Sequence, residues 1–315
     1  MIDPHVHFRD WNQKHKETVA HGLETAKRLG FTHVFDMPNT DPVLTNRETV
    51  IKRLKLAEES GVSGVSYHVW MGLTADEQQI REAVETVREL WPAVAGLKMF
   101  LGHSTGNMGI CTEEEQEKVF QTLAGLEYTG VVAVHAEKEA LMHPELYVPG
   151  QFETHSLARP PEAEIESVRD IIRIVKETEY RGILHIAHIS TAGAIELVQK
   201  AKDAGMRITF GVTPHHALFN TEDAKDHARY LKMNPPLRNE SDRKAVYASL
   251  FDGSAEWIES DHAPHTLEEK EAGARGIPGL ENMILLMNRM REDGMDEERF
   301  RALTHENAYQ VIRKS

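Results

Sequence analysis

Two histidines near the start of the chain are spaced so that they could bind one metal ion. His5 and His7 end a short apolar run that begins at Ile2. In a β-strand, residues i and i+2 point to the same side of the sheet, so the two imidazoles would leave the strand together. The pair alone is weak evidence, because the chain contains 18 histidines and such a spacing arises by chance.

Other residues that could take part in a metal site follow other strand-like runs; they are Lys98, His135, His188 and Asp261. Imidazole nitrogens and a carboxylate are typical ligands of zinc and similar divalent ions. In a catalytic site, a metal lowers the pKa of a water molecule from about 15.7 to about 7. The set therefore predicts a hydrolytic centre with one or two divalent ions, and zinc is the expected metal.

The lysine in this set has two interpretations. Lys98 could be an ordinary salt-bridged or snorkelling lysine. It also ends the strand-like run 97–100, where desolvation and cationic neighbours would favour the neutral amine. A neutral amine can take up CO2 to form a carbamate, an anionic ligand able to bridge two metal ions. The residue type and its position permit both interpretations.

Eight apolar runs rich in β-branched residues predict β-strands. They begin near residues 2, 32, 65, 95, 131, 183, 207 and 256. Segments with helical periodicity lie between most of them; Val19, Leu23 and Ala26, for example, fall on one helix face. Eight strands that alternate with helices predict an α/β protein with a (β/α)8 TIM barrel. We expect one domain over residues 1–315, a length that single barrels reach.

Barrel geometry strengthens the case for a metal site, because TIM-barrel active sites lie at the C-terminal ends of the strands. Predicted strands one, four, five, six and eight end, in that order, at His5 and His7, Lys98, His135, His188 and Asp261. All of these side chains should therefore converge on one mouth of the barrel.

Composition narrows the classes of partner and the expected compartment. A net charge of -14 argues against binding to a nucleic-acid backbone or to an anionic membrane surface. No apolar run approaches the length that spans a bilayer, so we expect no membrane association. The one cysteine, Cys111, excludes an internal disulfide bond. Because the chain opens without signal-peptide features, a cytoplasmic location is expected.

The sequence resembles the dihydroorotases of the amidohydrolase superfamily. The two-histidine start is shared across that superfamily. The runs Thr-Pro-His-His, Asn-Pro-Pro-Leu-Arg and Asp-His-Ala-Pro-His-Thr are more specific to dihydroorotases. The matching segments are residues 3–9, 37–40, 96–100, 135–137, 187–191, 212–216, 233–238, 260–266 and 276–281.

The resemblance implies a metal centre and a reaction. It implies two zinc ions bridged by carboxylated Lys98, the first held by His5, His7 and Asp261 and the second by His135 and His188. A one-ion site stays open, because some relatives lack the modified lysine. The implied reaction is the reversible cyclisation of N-carbamoyl-L-aspartate to L-dihydroorotate in de novo pyrimidine biosynthesis. Metal-bound hydroxide would attack, and Asp261 would act as the general acid/base.

The resemblance also implies residues that bind a small-molecule substrate. Arg9, Asn39 and His265 would bind its carboxylate, and a guanidinium with a carboxamide suits that planar group. The pyrimidine ring amides would meet Asn234 and the 276–279 loop, including Pro278 and Gly279. Ser104 and Thr105 lie in a Gly-containing loop after Lys98 that is either a mobile lid or an ordinary βα loop. A homodimer is also compatible with the resemblance.

The chain departs from the family pattern in two places. Many relatives read Arg-x-Pro-Gly after the histidines, whereas this chain reads Arg9-Asp10-Trp11. Many also carry an accessory β-sandwich built from segments before and after the barrel, which we expect to be absent because the sequence begins at strand one.

Two other functions compete with a dihydroorotase. A hydantoinase or allantoinase would share the metal site but accept another cyclic amide; Arg9 and Asn39 favour a substrate with a carboxylate. A non-catalytic dihydroorotase-like partner protein would have lost metal ligands, yet every implied ligand is present.

Overall fold

Eight parallel strands form one sheet in the computed structural model, which describes residues 1–102 and 108–313. Each strand pairs with the next along the chain, in the order β1 to β8. Beyond the strand ends, Val6 forms a parallel bridge with His262 and brings the two edges of the sheet together. The protein is a (β/α)8 barrel, as predicted. The strands are β1 (Ile2–Val6), β2 (His33–Asp36), β3 (Ser66–Gly72), β4 (Val94–Phe100), β5 (Val131–His135), β6 (Ile183–Ile186), β7 (Ile208–Val212) and β8 (Trp257–Ile258).

Helices surround the sheet and form an outer ring, in which the short α8 joins α10 to α12 and α12 packs against α1. The α-helices of the described residues are α1 (Val19–Leu29), α2 (Arg47–Glu59), α3 (Glu77–Leu90), α4 (Glu113–Gly125), α5 (His155–Ala158), α6 (Pro161–Glu177), α7 (Ala192–Asp203), α8 (Pro214–Leu218), α9 (Ala224–His227), α10 (Glu240–Asp252), α11 (Leu267–Glu271), α12 (Leu280–Glu292), α13 (Glu297–Arg301) and α14 (Asn307–Arg313). Short 3-10 turns cover Trp11–Gln13, Glu139–Leu141, Pro144–Leu146 and Phe152–Thr154, and a π-helical turn covers Ala302–Glu306.

Local sequence explains where these helices begin and end. The Thr18 side chain caps α1 by accepting a hydrogen bond from the His21 backbone N–H. The helix ends at Gly30, whose φ of 87° lies in the left-handed region that glycine adopts without strain. Thr112 and Glu115 form a capping box at the start of α4. The predicted apolar face of α1 is buried against the sheet.

Strand periodicity separates the inside of the barrel from its outside. Val132 and Val134 of β5 belong to the main core cluster, which packs the sheet against the helices. Val131 and Ala133 alternate with them and belong to a second cluster with Trp70. Because side chains alternate across a strand, His135 continues the inner face at the end of β5.

A buried ion pair anchors the segment that follows β1. Asp36, at the end of β2, accepts a hydrogen bond from the Phe8 N–H at 3.0 Å. Its other oxygen is 2.6 Å from the Arg53 Nη2 on α2 and 2.5 Å from the Tyr67 hydroxyl on β3. These contacts connect three elements to the residue that directly follows His7.

The helices cover the outside of the barrel. Among the helices of residues 1–102 and 108–313, none combines the length and the apolar character that a membrane span requires.

Candidate metal centre and active site

Two histidines and an aspartate from opposite ends of the chain form the first half of the site. The donor atoms of His5, His7 and Asp261 all lie within 4.8 Å of one another. Asp261 Oδ1 is 2.9 Å from His7 Nε2 and 3.4 Å from His5 Nε2. Burial lowers the pKa of His5 to about 4, and the nearby Lys98 charge acts in the same direction. The imidazole is therefore neutral at pH 7, which is the form that binds metals.

Two further histidines form the second half of the site. His135 Nδ1, at the end of β5, lies 3.1 Å from His188 Nε2, two residues beyond β6. The other ring nitrogen of His135, Nε2, lies 2.9 Å from Glu137 Oε2, and Arg159 pairs with that carboxylate. Such a hydrogen bond fixes which nitrogen can reach a metal. The His188 ring lies 5.2 Å from the His5 ring, so the two halves are adjacent.

Lys98 lies on β4, and its side chain is fully buried. No hydrogen-bond partner of its Nζ is found among the described residues. Burial lowers the pKa of Lys98 to about 8. A buried amine without a hydrogen-bond partner is costly, and a bridging carbamate would give this nitrogen a role in the site. The donor set and the orphaned Nζ thus fit the implied zinc centre.

Three residues of the site have backbone conformations that residues other than glycine rarely adopt. Arg9, His188 and Asp261 have φ angles of 46°, 41° and 45°. Such conformations cost roughly 1–3 kcal/mol each and are found where the surrounding structure holds them for a function. Each of these residues follows a strand end, so the backbone turn directs its side chain across the mouth of the barrel.

A pocket opens above these ligands. Arg9 is 2% exposed and lines the pocket together with Asn39, so the predicted carboxylate-binding pair lies beside the proposed metal ligands. Arg9 Nη2 lies 3.2 Å from His265 Nε2, which places the third predicted member next to the guanidinium. The pocket is lined by His5, His7, Arg9, Asn39, Phe100, His135, His188, Asn234, Asp261, Ala263, Arg275 and Gly276.

The amide of Asn234 is oriented by a neighbour. Its Oδ1 accepts a hydrogen bond from His155 Nε2 at 2.9 Å. The amide nitrogen Nδ2 has no partner among the described residues. Asn234 therefore offers a donor to the pocket, which suits a substrate carbonyl.

Some predicted substrate residues do not reach the pocket in the described part of the chain. Pro278 is exposed, and Gly279 caps α12 and donates its N–H to His262 Nδ1 at 3.1 Å. A Cβ at Gly279 would lie 2.2 Å from the Ser260 carbonyl oxygen, so close packing requires the glycine. From this loop, Gly276 lines the pocket instead. Ser104 and Thr105, the predicted lid residues, lie outside the described residues.

Glu137 and Arg275 are site residues that sequence reasoning missed. Glu137 follows His135 by two residues, and the same-side rule for strands could have identified it as the partner of that ring. Arg275 lines the pocket but precedes the matching 276–281 segment, so no motif indicated it. The roles of the predicted ligands and substrate residues stay predictions.

Comparison with curated proteins finds relatives over most of this chain, although no family model matches it. It is 36% identical over 292 residues to a dihydroorotase of Thermococcus kodakarensis, covering 91% of this chain and 61% of that protein. It is 33% identical over 277 residues to a dihydroorotase of Lactobacillus acidophilus, covering 88% and 62%. The chain thus spans about three fifths of the length of these relatives.

Solved structures share the fold. The L-hydantoinase (dihydropyrimidinase) of Arthrobacter aurescens has a TM-score of 0.89 and 22% identity, covering 99% of this chain and 70% of that one. A dihydroorotase of Campylobacter jejuni has a TM-score of 0.74 and 18% identity, covering 99% and 82%. At these identities, the similarity establishes the barrel and not the substrate.

Proposed function

Because this chain is homologous to the dihydroorotases, we propose that it catalyses the reversible closure of N-carbamoyl-L-aspartate to L-dihydroorotate in pyrimidine biosynthesis. The observation that carries this proposal is one pocket that joins Arg9 and Asn39 to the histidine and aspartate cluster. A cation for the substrate carboxylate and ligands for a hydrolytic metal are the two requirements of this reaction.

The proposed cofactor is zinc. His5, His7 and Asp261 would hold one ion, and His135 with His188 would hold a second. Bound there, zinc would lower the pKa of a water molecule to about 7 and polarise the amide carbonyl. Two ions close together need an anion between them, and carboxylated Lys98 would supply it. The amine would react with CO2, lose one proton and carry one negative charge.

In the proposed mechanism, Asp261 moves the proton. Its carboxylate lies against both His5 and His7, where it would touch the attacking water. During hydrolysis, it would take a proton from that water and deliver it to the ring nitrogen as the amide bond breaks. During closure, the same carboxylate would accept the proton from that nitrogen.

The remaining pocket residues would orient the ring. The Arg9 guanidinium and the Asn39 amide would hold the substrate carboxylate, with His265 beside Arg9. Asn234 would donate its free N–H to a ring carbonyl. These contacts would hold the amide carbon over the proposed ligands, and such positioning is a large part of catalysis.

A hydantoinase is the second candidate, because hydantoinases are among the solved structures that share this fold. The buried Arg9 beside the ligands favours a substrate with a carboxylate, which hydantoin and allantoin lack. The net charge of -14 supports a small-molecule substrate over nucleic acid. A homodimer and a cytoplasmic location stay predictions.

Turnover by zinc-loaded protein tests the proposal. Purified protein would be assayed with dihydroorotate, carbamoyl aspartate, hydantoin and allantoin, and its zinc content measured in the same sample. We expect turnover of the first two compounds with about two zinc ions per chain. Turnover of hydantoin or allantoin without dihydroorotate would overturn the assignment. Lys98→Ala should lower the zinc content toward one ion and suppress turnover.

A further inference from the structure

Glu259 is a buried carboxylate that contacts residues in both halves of the proposed metal centre. It follows β8 directly and is 1% exposed. Its Oε1 accepts a hydrogen bond from the backbone N–H of His188 at 2.5 Å. Its Oε2 accepts one from the Trp257 indole at 2.9 Å. These two hydrogen bonds hold the carboxylate at the end of β8. One of them comes from His188, a proposed ligand of the second ion.

The same carboxylate also faces the first half. His5 Nδ1 lies 3.7 Å from Glu259 Oε1, while His5 Nε2 faces Asp261. This Nδ1 has no hydrogen-bond partner among the described residues. Glu259 therefore lies on the side of His5 that is turned away from the proposed ion. At this distance the contact is electrostatic rather than a hydrogen bond, and it favours the tautomer with the proton on Nδ1, which leaves Nε2 to bind a metal.

The neighbouring strand leaves room for this carboxylate. Gly211 lies on β7, and a Cβ placed there would be 2.4 Å from Glu259 Cδ and 2.5 Å from its Oε1. Any other residue at 211 would displace the Glu259 side chain. A glycine in a strand costs stability, so its presence beside Glu259 indicates that this space is reserved for the carboxylate.

We propose that Glu259 is a positioning residue for both zinc ions, acting on His5 through its Nδ1 and on His188 through its backbone N–H. The inference rests on the metal centre of the proposed function. The strained φ of 41° at His188 needs an anchor, and the hydrogen bond to Glu259 provides one. One carboxylate thereby links the geometry of the two ion sites.

The first test compares zinc affinity in two variants, each of which neutralises one buried carboxylate. Glu259→Gln keeps the size of the side chain but removes its charge. The control is Glu164→Gln, since Glu164 is also buried and accepts hydrogen bonds from the Ser190 and Thr191 N–H groups of the same loop, whereas no contact of Glu164 with a proposed ligand is found among the described residues. Competition with a chelator should show zinc bound about 10–100-fold more weakly in Glu259→Gln. Glu164→Gln should bind zinc like the wild type.

The second test moves the carboxylate to the neighbouring strand. In Glu259→Ala with Gly211→Asp, the new side chain starts within 2.4–2.7 Å of the original carboxylate atoms. Zinc affinity should recover relative to Glu259→Ala alone. Thermal unfolding of the zinc-free proteins would show whether each variant is folded, so that a loss of affinity is not mistaken for unfolding.

The outcomes of these tests separate the positioning role of Glu259 from the proposed reaction. Unchanged zinc affinity in Glu259→Gln, or an equal loss in Glu164→Gln, would overturn the positioning role. Because zinc binding is measured without substrate, a wild type that binds zinc but does not turn over dihydroorotate would overturn only the proposed reaction. A wild type that binds no zinc would overturn both.

Discussion

Asp261 is the residue whose proposed tasks can be separated by one substitution. It touches both histidines of the first half, so its oxygen can bind metal, while its charge is needed to take up a proton. In Asp261→Asn the amide oxygen can still coordinate, but the amide cannot act as a base.

We therefore expect Asp261→Asn to retain most of its zinc and to lose at least about 10²–10⁴-fold in kcat, the range for a lost general base. Metal analysis and steady-state kinetics on the same preparation check this. A variant with zinc bound and a rate near that of the wild type would assign the proton transfer to another group.

Arg9 offers a second prediction at the residue scale, because its buried guanidinium lines the pocket. Arg9→Met should weaken binding of dihydroorotate by about 1.5–3 kcal/mol, the range for a hydrogen bond to a charged group. The control is the carboxamide analogue of dihydroorotate, which carries no charge at that position and should be far less sensitive to the substitution. Equal losses for both compounds would show that Arg9 acts by maintaining the structure.

At the scale of elements, buried carboxylates hold the loops that carry the ligands. Asp3 accepts the backbone N–H groups of His5 and Ser260 at 3.2 and 3.1 Å, connecting the start of β1 to the segment after β8. Asp36 likewise accepts the backbone N–H of Phe8, directly after His7. Segments at the C-terminal mouth are therefore fixed by side chains from neighbouring elements, which keeps the proposed ligands in register.

The contribution of such a buried carboxylate to the free energy of unfolding can be measured at the Asp36–Arg53 pair. Arg53→Met should lower the free energy of unfolding by about 3–5 kcal/mol, because Asp36 would remain buried without its cation. The matched control is Arg81→Met, which breaks an exposed i,i+4 pair with Glu77 and should change stability little. Urea unfolding of both variants checks this. Similar losses of unfolding free energy in the two variants would show that the buried pair stabilises the protein no more than the exposed pair does.

At the scale of the whole molecule, the barrel gathers donor atoms that are far apart in sequence, from His5 to Asp261. An ion that binds only the folded state stabilises it by mass action. Zinc at about 100 times its dissociation constant should thus add about 2.7 kcal/mol per site. Chelation should lower the thermal midpoint accordingly in a calorimetric scan.

The double variant His135→Ala with His188→Ala serves as the control, because it keeps only the first half of the site. Its midpoint should fall less on chelation than that of the wild type. Identical midpoints with and without zinc in the wild type would contradict a metal centre shared by the strands.

The sequence alone determined the strands and the positions of the proposed ligands, because both depend on local pattern. Apolar runs rich in β-branched residues predicted the strand starts within a residue or two, and barrel topology then required His5, His135 and Asp261 to meet at one end. Helix ends were similarly local, as the Thr18 and Gly30 caps of α1 illustrate.

Only the tertiary structure decided which side chains support those ligands. Glu259 faces His5 and occupies space left by Gly211, a relation that depends on how β7, β8 and β1 close around the barrel. Arg275 reaches the pocket while Pro278 turns to solvent, because the loop packs Gly279 against the Ser260 carbonyl. Contacts of this kind depend on how individual side chains and loops pack, which the pattern of strands and helices along the sequence does not specify.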